Sequence, residues 1–164
     1  MLTIKKEMIR FEYQIVRYAN FFKNEHGDEV MPMNTAEIQS KLDCQAPLML
    51  LDRVTTLNKD QQVIAQKSVS ANESYFQGHF PENPIMPGVL LIEAMVEATQ
   101  FMWDRSDLIL TRVKRGRFRE MIKPGMQLTI KVNAIKKYAC QAKVLIDDKD
   151  VCVADLEFKV TEEN

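Results

Sequence analysis

The longest apolar run of the chain begins at Gly88 and extends to about Asp104. It is hydrophobic on nearly every side of a helix, which predicts a buried helix rather than a surface one. Segments rich in β-branched residues on either side predict strands. These segments are PLMLLDRVTTL, QVIAQKSVS, LILTRVKRGRF, QLTIKVNAIKKY, CQAKVLI and VCVADLEFKV. One long central helix with antiparallel strands around it predicts an α+β domain whose sheet wraps around the helix.

Polar clusters separate these segments and predict turns at residues 58–61, 123–125 and 147–150. A short helix is predicted from Thr35 to Leu42, with Asn34 as its N-cap. Residues 1–26 carry apolar side chains at alternating four- and three-residue steps, which predicts an amphipathic helix. That stripe would pack on the protein itself or on an oligomer partner, or dock another protein; membrane contact is the least favoured alternative. We therefore predict an N-terminal helical extension over 1–33 and one domain over 34–164.

Composition excludes several classes of partner. The formal net charge of -1 gives no reason to expect nucleic acid or an anionic membrane surface. No apolar stretch approaches the ~20 residues that a membrane span requires, and the charged N-terminus has no hydrophobic signal core. Three cysteines without metal-ligand spacing and two histidines give no metal site. We expect a cytoplasmic protein with reduced thiols.

A histidine loop precedes the apolar helix. His79 lies in a segment that also contains Pro81, Pro84 and Pro87, and three prolines in seven residues restrict the path of the backbone. Pro87 and Gly88 suit a helix start, where free N–H groups and the helix dipole could stabilise an enolate-like oxygen. An isolated histidine in a loop is more often structural than catalytic. An acid on the helix that follows this loop favours a catalytic role for His79.

That acid is Glu93, which interrupts the apolar run. With Glu97 and Gln100 it could form a polar stripe that faces solvent or a subunit boundary. Alternatively, walls formed by apolar neighbours would raise its pKa by desolvation and keep it protonated as a general acid. The predicted wall residues are Val89, Leu90, Ile92 and Val96. A base with a pKa near neutrality beside a protonated carboxyl can remove one proton from carbon and protonate a leaving hydroxyl.

Three segments carry a family resemblance. NESYFQGHFPENPIMPGVLLIEAM closely resembles the signature of the β-hydroxyacyl-acyl-carrier-protein dehydratases of the FabZ/FabA type, while PLMLLDRV and GRFREMIKPGMQL resemble flanking segments of the same family. The resemblance covers about residues 35–160. It implies a hotdog fold and a homodimer, or a larger assembly of dimers. It also implies an active site at the dimer interface, with the histidine of one subunit facing the acid of the other, and an acyl substrate carried on the phosphopantetheine of acyl carrier protein without a further cofactor.

The same resemblance assigns roles residue by residue. His79 matches the catalytic histidine and Glu93 the catalytic acid, while Gly88 matches the glycine whose N–H polarises the thioester carbonyl. Ile85 matches the position whose carbonyl orients the histidine. The implied reaction is the reversible dehydration of a (3R)-3-hydroxyacyl thioester to the trans-2-enoyl thioester. Glutamate rather than aspartate at the acid position resembles the FabZ branch, so isomerase activity is less expected.

Several positions depart from the family pattern. LDCQAPLM replaces the usual L-P-H-R-Y-P-F, Glu97 replaces a glutamine, and Met126 replaces an aspartate. These departures suggest an accessory enzyme of a specialised acyl pathway. Met86, Val89 and Glu97 are candidates for the wall of a substrate tunnel. A basic run either docks the carrier protein or is simply a solvated strand face, and it comprises Arg112, Lys114, Arg115, Arg117 and Arg119.

Two other functions remain open from the sequence. A different hotdog activity on acyl thioesters, such as a thioesterase or hydratase, would differ in its products. A non-catalytic or partner-dependent subunit that binds acyl carrier protein would have no need to keep both His79 and Glu93.

Overall fold

A computed structural model describes residues 32–42 and 48–161 of the 164-residue chain. A compact unit begins at Met33. The helix predicted over residues 1–26 lies outside the described residues, so it stays a prediction.

The described part contains two α-helices, one short 3-10 helix and six strands. The helices are α1 (Thr35–Lys41) and α2 (Gly88–Trp103), and the 3-10 helix is Ser74–Gln77. The strands are β1 (Arg53–Asn58), β2 (Gln62–Ser68), β3 (Leu108–Phe118), β4 (Gln127–Lys136), β5 (Ala139–Ile146) and β6 (Lys149–Val160).

The six strands form one antiparallel sheet in the order β1-β2-β4-β5-β6-β3. Helix α2 packs across β1, β2, β4 and β5, and almost all of its length is buried. Its side chains Leu91, Met95 and Met102 join a core with Ile130 and Leu156 of the sheet. The predicted α+β hotdog architecture, a sheet wrapped around a central helix, is confirmed.

Local sequence explains where several elements begin and end. The Asn34 side chain accepts hydrogen bonds from the N–H groups of Ala36 and Glu37, and the Glu37 side chain accepts one from Asn34 N, which together form a capping box. Helix α2 ends at Asp104, which adopts the left-handed conformation that terminates a helix. Asp147 and Asp148 also have positive φ, as the tight turn between β5 and β6 requires.

Strand β1 begins later than its sequence predicts. The apolar segment from Pro47 onward predicts one continuous strand, but the strand starts at Arg53. Leu50 and Leu51 donate their N–H groups to the side chain of Glu97 instead of to a neighbouring strand. The hydrogen bonds that would extend the ladder are therefore used to attach this segment to α2.

Strand β3 lies at the edge of the sheet and pairs only with β6. Nearly all of its residues are exposed, including the large apolar side chains of Ile109, Val113 and Phe118. Exposed apolar side chains on an edge strand form a surface that proteins often cover, although β3 also carries basic residues that protect an edge. No helix among the described residues is long and apolar enough to cross a membrane.

Candidate active site

The loop that carries His79 is closed by two hydrogen bonds between the same two residues. Ile85 N donates to the carbonyl oxygen of His79 at 2.9 Å, and the His79 ring nitrogen Nδ1 lies 2.7 Å from the carbonyl oxygen of Ile85. On the other side, His79 N donates to the carbonyl oxygen of Tyr75 in the 3-10 helix at 3.1 Å. The half-buried ring stacks on Phe80 with centroids 4.4 Å apart. The imidazole is thus fixed on several sides.

The partner of Nδ1 determines what the other ring nitrogen can do. A carbonyl oxygen can only accept, so Nδ1 must carry the proton of this hydrogen bond. In the neutral ring, Nε2 is then unprotonated and can act as a base. The contact with Ile85 is the one that the family resemblance implies, and its geometry suits removal of a proton from carbon.

Helix α2 starts immediately after the loop, with Pro87 as its N-cap and Gly88 as its first residue. The first N–H groups of a helix have no intrahelical acceptor, which leaves them available to a ligand. A side chain at position 88 would place Cβ within 3.0 Å of the Phe118 ring. The close approach of this ring therefore explains why the helix begins with glycine.

Glu93 lies on α2 and is exposed within a single chain. The expected apolar wall is therefore not provided by its own chain, and Val89 is itself 71% exposed. Among the described hydrogen bonds, none joins His79 to Glu93. Within one chain Glu93 therefore lies on the exposed side of α2, and its enclosure by apolar side chains stays a prediction.

Glu97 differs from Glu93 in almost every respect, although one helical turn separates them. Its side chain is only 2% exposed. Oε1 and Oε2 accept from Leu50 N at 2.9 and 3.0 Å, and Oε2 accepts from Leu51 N at 3.0 Å. Burial raises the pKa of Glu97 to about 7 against the opposing effect of these N–H donors, with a smaller contribution from the charge of Glu93. The two glutamates do not form one solvent-facing stripe with Gln100.

The other predicted tunnel residues lie in different environments. Met86 is 2% exposed, and its N–H donates to the carbonyl oxygen of Ile122 at 2.8 Å, which fixes the end of the histidine loop. Val89 projects from the first turn of α2 into solvent. The role of Met86, Val89 and Glu97 in a tunnel stays a prediction.

A buried cation near the loop was not predicted from the sequence. Lys67 of β2 is 4% exposed and forms an ion pair with Glu73, the residue that precedes the 3-10 helix. The signal was present in β2, because Val63, Ala65 and Lys67 alternate on the buried face of the strand. A lysine at one of these buried positions of the strand requires a buried partner for its charge.

The basic run on β3 is partly neutralised within the sheet. Lys114 contacts Glu157 at 2.6 Å and Arg112 lies 3.9 Å from the same carboxylate, while Arg115 pairs with Asp155. Arg117 and Arg119 are exposed and have no ion pair within the described part of the chain. A cavity of about 530 Å³ lies beside Arg119 and is lined by Phe118, Arg119, Glu120, Met121, Lys123 and Met126.

The described residues include no cluster of three or more side chains suited to holding a metal ion.

Comparison with known proteins agrees with this arrangement. A family model described as the FabA-like domain matches residues 44–158, well over half of the chain. The chain belongs to the FabA-like dehydratase family. Curated members of the family named 3-hydroxyacyl-[acyl-carrier-protein] dehydratase FabZ are similar over most of its length. The protein from Lactiplantibacillus plantarum is 36% identical over 78% of this chain and 94% of its own, and that from Coxiella burnetii is 34% identical over 76% and 96%.

Solved structures share the fold of this FabA-like chain at lower sequence identity. An uncharacterized protein from Pyrococcus horikoshii has a TM-score of 0.62 at 13% identity, over 82% of this chain and 98% of its own. A chain of a dehydratase heterocomplex from Xenorhabdus doucetiae has a TM-score of 0.54 at 21% identity, over 60% and 88%. These likenesses support the hotdog fold and nothing further.

Proposed function

We propose that the protein catalyses the reversible dehydration of (3R)-3-hydroxyacyl-acyl-carrier-protein to trans-2-enoyl-acyl-carrier-protein in fatty-acid or specialised acyl-chain biosynthesis. The observation that carries the proposal is the His79 imidazole, whose Nδ1 is engaged by the Ile85 carbonyl at 2.7 Å directly before a helix that begins at Gly88 and carries Glu93. The names of the FabZ relatives support the same reaction.

In the proposed mechanism His79 is the base and Glu93 is the acid. His79 Nε2 removes a proton from C2 of the acyl chain, and the N–H of Gly88 stabilises the negative charge that develops on the thioester oxygen. Glu93 donates its proton to the 3-hydroxyl, which leaves as water. The C2–H electrons form the new double bond as the C3–O bond breaks, so the reaction needs no oxidant or reductant. The acyl chain would be presented on the phosphopantetheine of acyl carrier protein, and the proposal assigns the protein no cofactor of its own.

The proposal includes a homodimer. Glu93 is exposed and has no hydrogen bond to His79 within one chain, while the edge strand β3 exposes apolar side chains. A second copy that pairs along β3 would cover that edge. It would also give Glu93 an apolar, water-poor environment, which a general acid requires near neutral pH.

Arg117 and Arg119 are the most suitable members of the basic run for docking an acidic carrier protein. The other three members pair with carboxylates of β6, so they contribute less net positive charge to the surface. Charge on this surface would mainly speed and orient the encounter.

A reducing, cytoplasmic location is also part of the proposal, because the described cysteines Cys140 and Cys152 are free and buried.

The proposal is tested by intact-mass analysis of 3-hydroxyacyl carrier proteins of short, medium and long chain length after incubation with the protein. We expect the loss of one water, and we expect His79→Ala and Glu93→Gln to abolish it. Glu82→Gln is the matched control, because Glu82 is an exposed carboxylate in the same loop. Absence of both dehydration and reverse hydration at every chain length would contradict the proposal and favour a partner-dependent subunit, whereas release of the free acid would identify a thioesterase.

A further inference from the structure

A continuous series of contacts connects α2 with the loop that carries His79, and Glu97 stands at its helical end. The Glu97 carboxylate holds Leu50 and Leu51 through three hydrogen bonds. The next residue, Asp52, attaches the same segment to the end of β2. Its N–H donates to the carbonyl oxygen of Gln66 at 2.9 Å, and its side chain accepts from Ser68 N at 2.5 Å.

Lys67 lies between these two β2 residues and extends the series to the histidine loop. It points to the buried face of the strand and pairs with Glu73. Glu73 is the N-cap residue of the 3-10 helix Ser74–Gln77, whose Tyr75 carbonyl accepts from His79 N. The contacts therefore lead from α2, which carries Gly88 and Glu93, to the backbone of His79 within one chain.

We propose that Glu97 is a positioning residue for the dehydration, and that its ionised form fixes the His79 loop relative to α2 more firmly than its protonated form does. This proposal rests on the proposed function above. A carboxylate can accept all three hydrogen bonds from Leu50 and Leu51, whereas a carboxylic acid has one oxygen that carries a proton and must donate. Oε2 can still accept from both N–H groups when Oε1 carries the proton, but protonation weakens the second contact of Leu50 N, with Oε1, and removes the negative charge that attracts Lys67.

The surroundings of Glu97 place its change of protonation within the pH range of ordinary assays. Among the described residues, the charged groups that act on it are Glu93 on its own helix and Lys67 on β2, while the segment at Leu50 and Leu51 presents only backbone N–H groups. Burial is the largest influence and raises the pKa of Glu97 to about 7. A glutamine at this position would resemble the protonated form, because its amide group can accept at only one of its two ends.

The test compares kcat/KM of the wild type and of Glu97→Gln across the pH range. The two proteins differ only at position 97, so a change in the ratio of their rates with pH reports the replacement of that one carboxyl group. We expect a ratio near one at low pH that rises to roughly tenfold at alkaline pH, with its midpoint near the pKa of about 7. Asp148→Asn is the matched control. Asp148 is exposed, lies in the turn before β6 and has a positive φ that asparagine tolerates, so its ratio should stay near one.

A ratio that is independent of pH would overturn the proposal and leave Glu97 with a purely structural role. Hydrogen exchange gives a second readout that does not need catalysis. In Glu97→Gln at alkaline pH, we expect faster exchange at Leu50, Leu51 and the segment 75–79 than in the wild type, with no change in Asp148→Asn. Unchanged exchange in the segment 75–79 would disprove the connection itself. A wild type without dehydratase activity would refute the proposed function, and the exchange experiment would then still decide whether Glu97 controls the loop.

Discussion

The orientation of His79 depends on one backbone carbonyl. Because Ile85 accepts from Nδ1 at 2.7 Å and also donates its N–H to the His79 carbonyl, the ring cannot turn over without losing a hydrogen bond in a closed loop. The cost of leaving the half-buried Ile85 carbonyl without this donor favours one ring orientation and one tautomer. In the proposed mechanism, the unprotonated Nε2 is therefore available before any substrate binds.

The ionisation of Glu97 makes the stability of the protein depend on pH. Burial raises its pKa from an ordinary value of 4.5 to about 7 in the folded protein, so folding favours the protonated form. This contribution to the free energy of unfolding is complete below the unfolded pKa and is lost as the pH rises through the folded pKa. Between about pH 5 and about pH 8, we expect the wild type to lose about 3 kcal/mol relative to Glu97→Gln.

Urea denaturation of both proteins at each pH measures this difference. A difference that stays constant would show that Glu97 titrates at its ordinary pKa. The result is compatible with a positioning role for the ionised form. A buried charge costs stability, and the Glu97 carboxylate therefore depends strongly on its two N–H donors, Leu50 and Leu51.

The start of helix α2 combines two requirements in one glycine. The proposed mechanism requires an accessible N–H at Gly88, and the same residue lies against the ring of Phe118, whose atoms are 3.0–3.3 Å from the position of an added Cβ. An alanine there would displace the ring or the helix terminus by a few tenths of an ångström. Small displacements of groups that contact the reacting atoms reduce catalysis more than they reduce stability.

We therefore expect Gly88→Ala to lower kcat/KM by roughly tenfold to a hundredfold with little change in the melting temperature. Gly78→Ala is the matched control, because Gly78 directly precedes His79 and an added Cβ there meets nothing within 4 Å. Its φ of -113° also suits alanine. Steady-state kinetics and thermal unfolding of both variants provide the comparison. Equal losses of activity in the two variants would contradict the close-approach explanation.

At the level of elements, hydrophobic periodicity predicted the helices and strands well, because the residues on one face of each element share the same environment along its length. The bounds of β3 and the start of α2 follow directly from the sequence pattern. Periodicity could not predict the late start of β1, because a side chain 46 residues away in sequence binds Leu51 N. Periodicity also could not predict that Glu93 is exposed while Glu97 is buried. Residues four apart share a helical face, whereas burial depends on what the rest of the chain places against each position.

For the molecule as a whole, the single chain presents the proposed base, His79, on a loop closed by hydrogen bonds and the proposed acid, Glu93, exposed on α2. The exposed apolar side chains include Val113 and Phe118 of the edge strand β3, as well as Phe80 of the histidine loop. These apolar groups belong to the same elements that carry or flank the candidate catalytic residues. A second copy seated there would both cover apolar surface and complete the site, so assembly and activity should depend on each other.

Mixing two inactive variants tests whether the sites are shared between subunits. In a dimer that contains one His79→Ala chain and one Glu93→Gln chain, a site built across the interface would receive both defects at one position and none at the other. Co-expression with random assembly gives mixed dimers in about half of the population, each with one intact site, so we expect about a quarter of the wild-type activity. If each chain instead supplied its own His79 and Glu93, every site would carry one defect and the mixture would stay inactive. Intact-mass analysis of the carrier-protein product, with native mass spectrometry to count the mixed dimers, distinguishes these outcomes, and each variant assembled alone provides the baseline.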